Sequence, residues 1–321
     1  MDANIRKIAE ILLFEPLNHK GLRDGVNELH RLFSLAAGIT AESIDDEDIY
    51  LPSGRAISPM KAAHCLLEYQ RTATFLRGIY KGIAQLKLNY PGERLHILYA
   101  GCGPYATLLT PLTTFLKADE VAFHLLDING HAIDAAKKLY DSLELKEYVA
   151  EWICADATTY KVPEGATMHL MISETMENAL RSEPQIDIMM NLIPQLPALG
   201  VFIPHEITIS AKLVTVEETW KPITTGNQPL RIELGPIYSI GRENAAPGRD
   251  ITVTIPEDTE ECIQLNLFTD IITFDDERLS LGKCSLNIPW QLTAVGEHKG
   301  KQLHIHYRMG KNPGFECDWV E

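Results

Sequence analysis

The chain has 321 residues, 45% of them apolar and 23% charged, which excludes a disordered segment, a collagen-like fibre and a small disulfide scaffold, and at roughly 150 residues per domain suggests two domains. Against 29 Lys and Arg stand 44 Asp and Glu, a formal charge of −15; such a surface repels phosphate backbones and anionic lipid, which speaks against nucleic acid or a membrane as partner and favours a cationic small molecule or basic peptide. The six cysteines form no C-x-x-C pair or zinc spacing, and the N-terminus has no basic segment before an unbroken apolar run, so a cytoplasmic protein without metal is expected.

In chain order, Ile5, Ile8, Ile11 and Leu12, then Leu29, Leu32 and Phe33, recur at helical spacing and predict helices up to about residue 40. The turn-rich stretch 51–55 leads to Ser58-Pro59, a capping residue followed by proline at the first helical position. The helix begun there is predicted to run through Leu66, Phe75 and Ile83 to the breaker Asn89-Tyr90-Pro91-Gly92. From Arg94 to Pro204, short apolar runs at 95–100, 121–126, 149–154, 168–172 and 201–203 alternate with helical stretches at 132–143 and 186–196. That alternation predicts an α/β fold, a doubly wound, Rossmann-like parallel sheet. Beyond it, short runs at 207–214, 231–234, 251–255, 263–270, 281–288 and 303–307 predict an all-β domain, a barrel or sandwich. The expected organisation is a helical cap over 1–90, a cofactor-binding domain over 91–204 and a β-domain over 205–321.

The first strand of the α/β stretch enters Ala100-Gly101-Cys102-Gly103-Pro104, ahead of a predicted helix. Glycines there let the backbone approach a nucleotide where a Cβ would clash. Asp127 ends the next strand and is placed to accept hydrogen bonds from a ribose diol; Asp156 follows the third strand, where it can reach an adenine amino group. Gly101-x-Gly103-x-x-Ala106 also fits a relaxed dinucleotide fingerprint, so an NAD-dependent oxidoreductase stays open at this point. His304 and His306 alternate on one strand face without a further ligand, and read as structural or solvent-facing.

The fourth strand runs into Ser173-Glu174-Thr175-Met176-Glu177-Asn178-Ala179-Leu180-Arg181-Ser182-Glu183. Here the sequence resembles the protein arginine methyltransferases, class I enzymes that use S-adenosylmethionine. Their loop reads S-E-x-M-x-x-x-L with a second glutamate nine residues after the first, and Ser173, Glu174, Met176, Leu180 and Glu183 match it. Leu66-Leu67-Glu68-Tyr69-Gln70-Arg71-Thr72 resembles the family's helix segment with an acid three residues before an Arg-Thr pair. Leu199–Pro204 resembles the passage into its β-barrel, and Trp290 stands where the family has a Thr-His-Trp loop. The resemblance spans about Pro52 to Trp290 and leaves the first 45 or so residues outside.

The resemblance implies an S-adenosyl-L-methionine-dependent methyltransferase in which Arg71, Gly101, Gly103, Asp127 and Asp156 bind cofactor. Arg71 would grip the methionine carboxylate. Glu174 and Glu183 would be the catalytic clamp around a nitrogen acceptor, a guanidine or amine on a peptide or small molecule, with Glu177 and Trp290 beside it. Two carboxylates suit a guanidinium because they accept its N–H bonds in pairs and draw the positive charge away from the reacting nitrogen. The sequence departs from the family at Tyr99, where an acid is usual, and at Tyr105, in place of the third glycine. It departs again at Glu177, in place of glycine, and at Ile288-Pro289, in place of Thr-His. Its β-domain is also short, which leaves a homodimer open with the dimerisation arm reduced or rearranged. Two further alternatives are a small-metabolite O- or N-methyltransferase, with the N-terminal helices as lid, and a non-catalytic cofactor-binding protein.

Overall fold

A computed structural model describes residues 3–39, 47–217, 230–246, 250–259 and 261–320. The N-terminal helices are α1 (Ala3–Phe14) and α2 (His19–Ala37). Asn18 caps α2, its side chain accepting from the Gly21 N–H, and Gly38 closes the helix in a left-handed turn. The turn-rich stretch that follows is a hairpin of β1 (Ile49–Leu51) and β2 (Gly54–Ala56). The single long helix expected after Ser58 is two, α3 (Pro59–Cys65) and α4 (Tyr69–Asn89). The chain turns between them because Glu68 leaves helical geometry and the Thr72 hydroxyl takes the Leu66 carbonyl at 3.0 Å.

The α/β expectation holds. Strands β3 (Leu95–Ala100), β4 (Val121–Asp127), β5 (Val149–Cys154), β6 (Leu170–Ser173) and β7 (Val201–Ile203) form one sheet in the order β5-β4-β3-β6-β7, every pair parallel. Helices α5 (Gly130–Ser142) and α6 (Gln185–Leu192) connect them. Strand order reverses at β3, so a crevice opens above the C-terminal ends of β3 and its neighbours. The helix expected after the glycine loop is absent; turns lead instead to a 3-10 helix, Thr110–Thr114. Pro111 cannot donate to a helical ladder, and the hydroxyls of Thr110, Thr113 and Thr114 bond back to nearby carbonyls, satisfying the backbone without a helix.

The all-β half contains β8 (Glu206–Val214), β9 (Arg231–Gly241), β10 (Ile251–Thr254), β11 (Gln264–Phe274), β12 (Glu277–Leu279), β13 (Trp290–Ala294), β14 (Gln302–Arg308) and β15 (Gly314–Trp319). One antiparallel sheet runs β12-β11-β8-β9, with β13 paired to β11 beside β12; a second runs β10-β14-β15. The two meet through Tyr238, Tyr307 and Phe315, whose ring centroids lie 5.0–6.1 Å apart. The strand expected over 281–288 is a turn with a short 3-10 helix at Ser285–Asn287, while β12, β13 and β15 went unpredicted. They are short edge pieces whose apolar residues are too few to show a period.

Helix α4 joins the halves. It is buried on nearly every side, against β3, β6 and β7 and against β11 and β12. Gly78 permits the second contact: a Cβ there would run into the Thr273 side chain. Arg77 and Lys81 then pair with Glu277 at 2.8 Å each. The helices α1 and α2 pack on α4, α5 and the 3-10 segment. Phe33 and His30 flank the ring of the buried Tyr105, and the Ser34 hydroxyl bonds its phenol at 2.7 Å, so the N-terminal pair braces the flank of the glycine loop. Among the described residues no helix is long and apolar enough to cross a membrane.

Candidate active site

The C-terminal ends of the parallel strands and the near edge of the β-domain enclose a cavity of about 740 Å³. All nine residues singled out in the sequence line it: Arg71, Gly101, Gly103, Asp127, Asp156, Glu174, Glu177, Glu183 and Trp290. At one end, the Gly101 and Cys102 N–H groups bond the Leu126 carbonyl and the Gly103 N–H donates to Asp127 Oδ2 at 2.8 Å. Gly101 sits at φ +73, and a Cβ on it would collide with Thr175. Asp127 Oδ1 accepts from the Asn129 N–H at 2.9 Å, so this carboxylate braces the loop and keeps lone pairs for a ligand. Asp156 Oδ1 takes the Thr158 N–H and hydroxyl, leaving Oδ2 to the cavity.

In the middle, the buried Arg71 donates from Nε to Glu174 Oε2 at 3.0 Å and from Nη2 to the same oxygen, while Nη1 reaches Glu68 at 3.4 Å. Glu68 in turn accepts from the Ser285 N–H and hydroxyl, which ties α4 to the β-domain. The second oxygen of Glu174, Oε1, is buried without a partner. Burial pushes the Glu174 carboxyl up against the pull of Arg71. Glu183 is buried as well; burial, aided by the Glu174 charge, pushes it up to about 8. Burial also pushes the Cys65 thiol up to about 11, which leaves no thiolate for covalent chemistry there at neutral pH.

At the far end lie two side chains that sequence reasoning missed. Arg55 on β2 sits 3.2 Å from Glu177, 3.8 Å from Asp48 and 3.9 Å from Glu183. Arg181 lies over the Trp290 ring, 3.5 Å from its centroid, and 3.8 Å from Glu177. The visible signal was an unusual density of charge between Glu174 and Glu183, where the loop carries Glu177 and Arg181.

The loop holding both glutamates is pinned at almost every residue. The Thr175 N–H donates to the buried Gln185 of α6, the Ala179 N–H to Thr269 of β11, and the Asn178 amide to the Ile288 carbonyl. Tyr307 of β14 donates to the Leu180 carbonyl at 2.6 Å, the Ser182 N–H to Pro313, and the Arg55 N–H to the Ser182 carbonyl. Ala179, Leu180 and Ser182 have φ of 55, 53 and 63, left-handed conformations that cost a non-glycine residue about 1–3 kcal/mol each and persist where surrounding structure imposes them.

His304 and His306 pair at 3.5 Å with Asp250 and Glu316 respectively, away from this cavity.

No protein-family model and no curated protein matches this sequence. Solved structures do share its fold. Against a Trypanosoma brucei PRMT1 enzyme–prozyme heterotetrameric complex with AdoHcy, the TM-score is 0.51 at 12% identity, over 80% of this chain and 92% of that one. Against Arabidopsis thaliana protein arginine methyltransferase 10 it is 0.53 at 10% identity, over 78% and 95%.

Proposed function

We propose that this chain is an S-adenosylmethionine-dependent N-methyltransferase whose acceptor, a guanidine or amine on a peptide or small molecule, is held by Glu174 and Glu183. The observation that carries the reading is the convergence of the glycine loop, two strand-end aspartates, a buried arginine and two buried glutamates on one cavity. The likeness in fold to the PRMT1 enzyme–prozyme complex with AdoHcy supports it. A dinucleotide reading has less support, because no α-helix begins after Gly103 to receive a pyrophosphate on its N-terminus.

The residues fit the cofactor. About 740 Å³ is within the usual range of small-molecule sites, 300–1,000 Å³. Asp127 and Asp156 offer carboxylate oxygens at adjacent strand ends for hydroxyl and amino groups. Arg71 keeps N–H bonds free for a carboxylate after binding Glu174 and Glu68. Bound there, the cofactor supplies an electrophilic methyl group on a sulfonium.

The chain's own residues do the rest. Arg71 fixes Glu174 so that its unpartnered oxygen is free for an acceptor N–H. Glu183 accepts a second, and the pair concentrates lone-pair density on the nitrogen that attacks. The nitrogen must lose a proton as it is methylated, and Glu183, once the cationic acceptor has displaced the proton it holds at neutral pH, would be basic enough to take it. Positioning in the cavity would provide most of the acceleration, roughly 7–11 kcal/mol in favourable cases.

A thermal-shift titration with S-adenosylhomocysteine beside NAD tests the reading. A ligand at about 100 times its Kd adds roughly 2.7 kcal/mol to a native state it binds alone. Stabilisation by S-adenosylhomocysteine and not by NAD is the expected result; stabilisation by NAD alone overturns it. A cytoplasmic location and a homodimer remain part of the same proposal.

A further inference from the structure

Glu177 serves two guanidinium groups. Arg55 Nη2 is 3.2 Å and Arg181 Nη2 3.8 Å from its carboxylate. Of the other two carboxylates near Arg55, Asp48 already takes both 3.0 Å contacts of Lys61 and the Ser58 N–H. Arg181 spends Nε and Nη2 on Asn178, and its Nη1 donates to no described residue. Arg55 Nε is buried with no acceptor. The two cations repel: burial and the Arg55 charge pull Arg181 below its ordinary value despite Glu177. Glu183, with burial holding it largely protonated at neutral pH, offers Arg55 little charge. Arg181 also covers the Trp290 face, closing to an incoming guanidinium the aromatic surface it would stack on.

We propose that Arg55 and Arg181 form an anion subsite at the acceptor end of the cavity, and that the acceptor is a small molecule carrying a carboxylate beside its nitrogen. The proposal rests on the methyltransferase reading and narrows it. A carboxylate matches the planar fork of a guanidinium through paired, charge-assisted N–H bonds. Arg55 and Arg181 both line the cavity, on adjoining elements, the β1–β2 hairpin and the glutamate loop, and meet across the single carboxylate of Glu177. An acceptor with nitrogen at one end and carboxylate at the other satisfies both the glutamates and the arginines. An arginine side chain in an otherwise uncharged peptide satisfies only the former.

The test uses the full chain saturated with S-adenosylhomocysteine. Guanidinoacetate and 3-guanidinopropionate are compared by calorimetry with their decarboxylated partners, methylguanidine and ethylguanidine. At least one acid is expected to bind tenfold or more tightly than its partner, about 1.4 kcal/mol. Arg181→Gln and Arg55→Gln should each bring that ratio to within twofold while the S-adenosylhomocysteine response, which reports folding, is kept. The proposal is overturned if every matched pair differs by less than twofold in the wild type, including the case where neither member binds. It is equally overturned if Arg181→Gln keeps the preference. Absence of any S-adenosylhomocysteine binding by the wild type is a separate result: it removes the methyltransferase reading, and the subsite proposal with it.

Discussion

Glu174 and Glu183 look alike in the sequence and differ in the structure. Glu174 is held by Arg71, so Glu174→Gln should keep cofactor affinity while lowering turnover by two or more orders of magnitude; single-turnover kinetics beside a cofactor titration would separate the two. Glu183 titrates. Its folded value near 8 is above the ordinary 4.5, so the native state holds a proton that the unfolded chain releases between those values. Stability is therefore fully present below about pH 4.5 and declines as pH rises to about 8. Glu183→Gln removes that slope, and its melting temperature relative to wild type should climb from pH 5 to pH 8. A cationic acceptor must displace the same proton, so its KM should fall over the upper part of this range in the wild type and stay flat in the variant. The placement of these carboxylates on one cavity was legible because the motif fixes their spacing. Arg55 was not, because it arrives from a hairpin more than a hundred residues upstream, and nothing local to Leu51–Arg55 announces which loop it will meet.

At the scale of elements, a row of histidines crosses the parallel sheet away from the cavity. His96 Nδ1 and His124 Nε2 are 2.9 Å apart, and His169 Nδ1 accepts the His96 N–H at 3.0 Å. Burial lowers all three below their ordinary value near 6.5. Glu93 and Glu151 on the flanks oppose that lowering at His169 and His124, and Arg94 reinforces it at His96 and His124. Neutral in the native state, these rings gain protons first when unfolded, so stability falls as pH drops below about 6.5. Denaturant midpoints at pH 7 and 5.5, measured on Glu183→Gln so that the opposite slope of that carboxyl is removed, should show this loss, and adding His124→Gln should reduce it. Gly78 gives a second expectation. Its alanine variant gains helix propensity of about 1 kcal/mol yet meets Thr273; the clash should win, and thermal unfolding should show a net destabilisation of about 1–3 kcal/mol. The order of strands and helices through 95–203 was readable from alternation alone. The missing helix after the glycine loop was not, since its apolar spacing is helical, and Pro111 together with the hydroxyl back-bonding of the threonines works against it.

On the scale of the whole molecule, the acidic surface and the cavity make different demands. A charge of −15 draws cations from a distance, whereas the walls near Trp290 present two arginines. Long-range attraction and local fit together favour a ligand bearing both signs. The N-terminal helices, outside the span of the family resemblance, are part of the same body through Tyr105, so they support the glycine-loop end of the cavity and leave the Trp290 end to the hairpin and the β-domain.

The glutamate loop has a consequence in time. Its geometry depends on Arg55, Thr269, Tyr307 and Pro313, segments separated by up to about 260 positions in the chain. During synthesis the parallel sheet and its glycine loop are complete once residue 203 has emerged, whereas the Leu180 carbonyl meets Tyr307 and the Ser182 N–H meets Pro313 only when β14 and the turn after it are made. Contacts of such long sequence separation form late. A nascent or truncated chain can thus acquire a cleft before its glutamate loop is shaped, and the finished chain is the first species with both ends of the cavity in place.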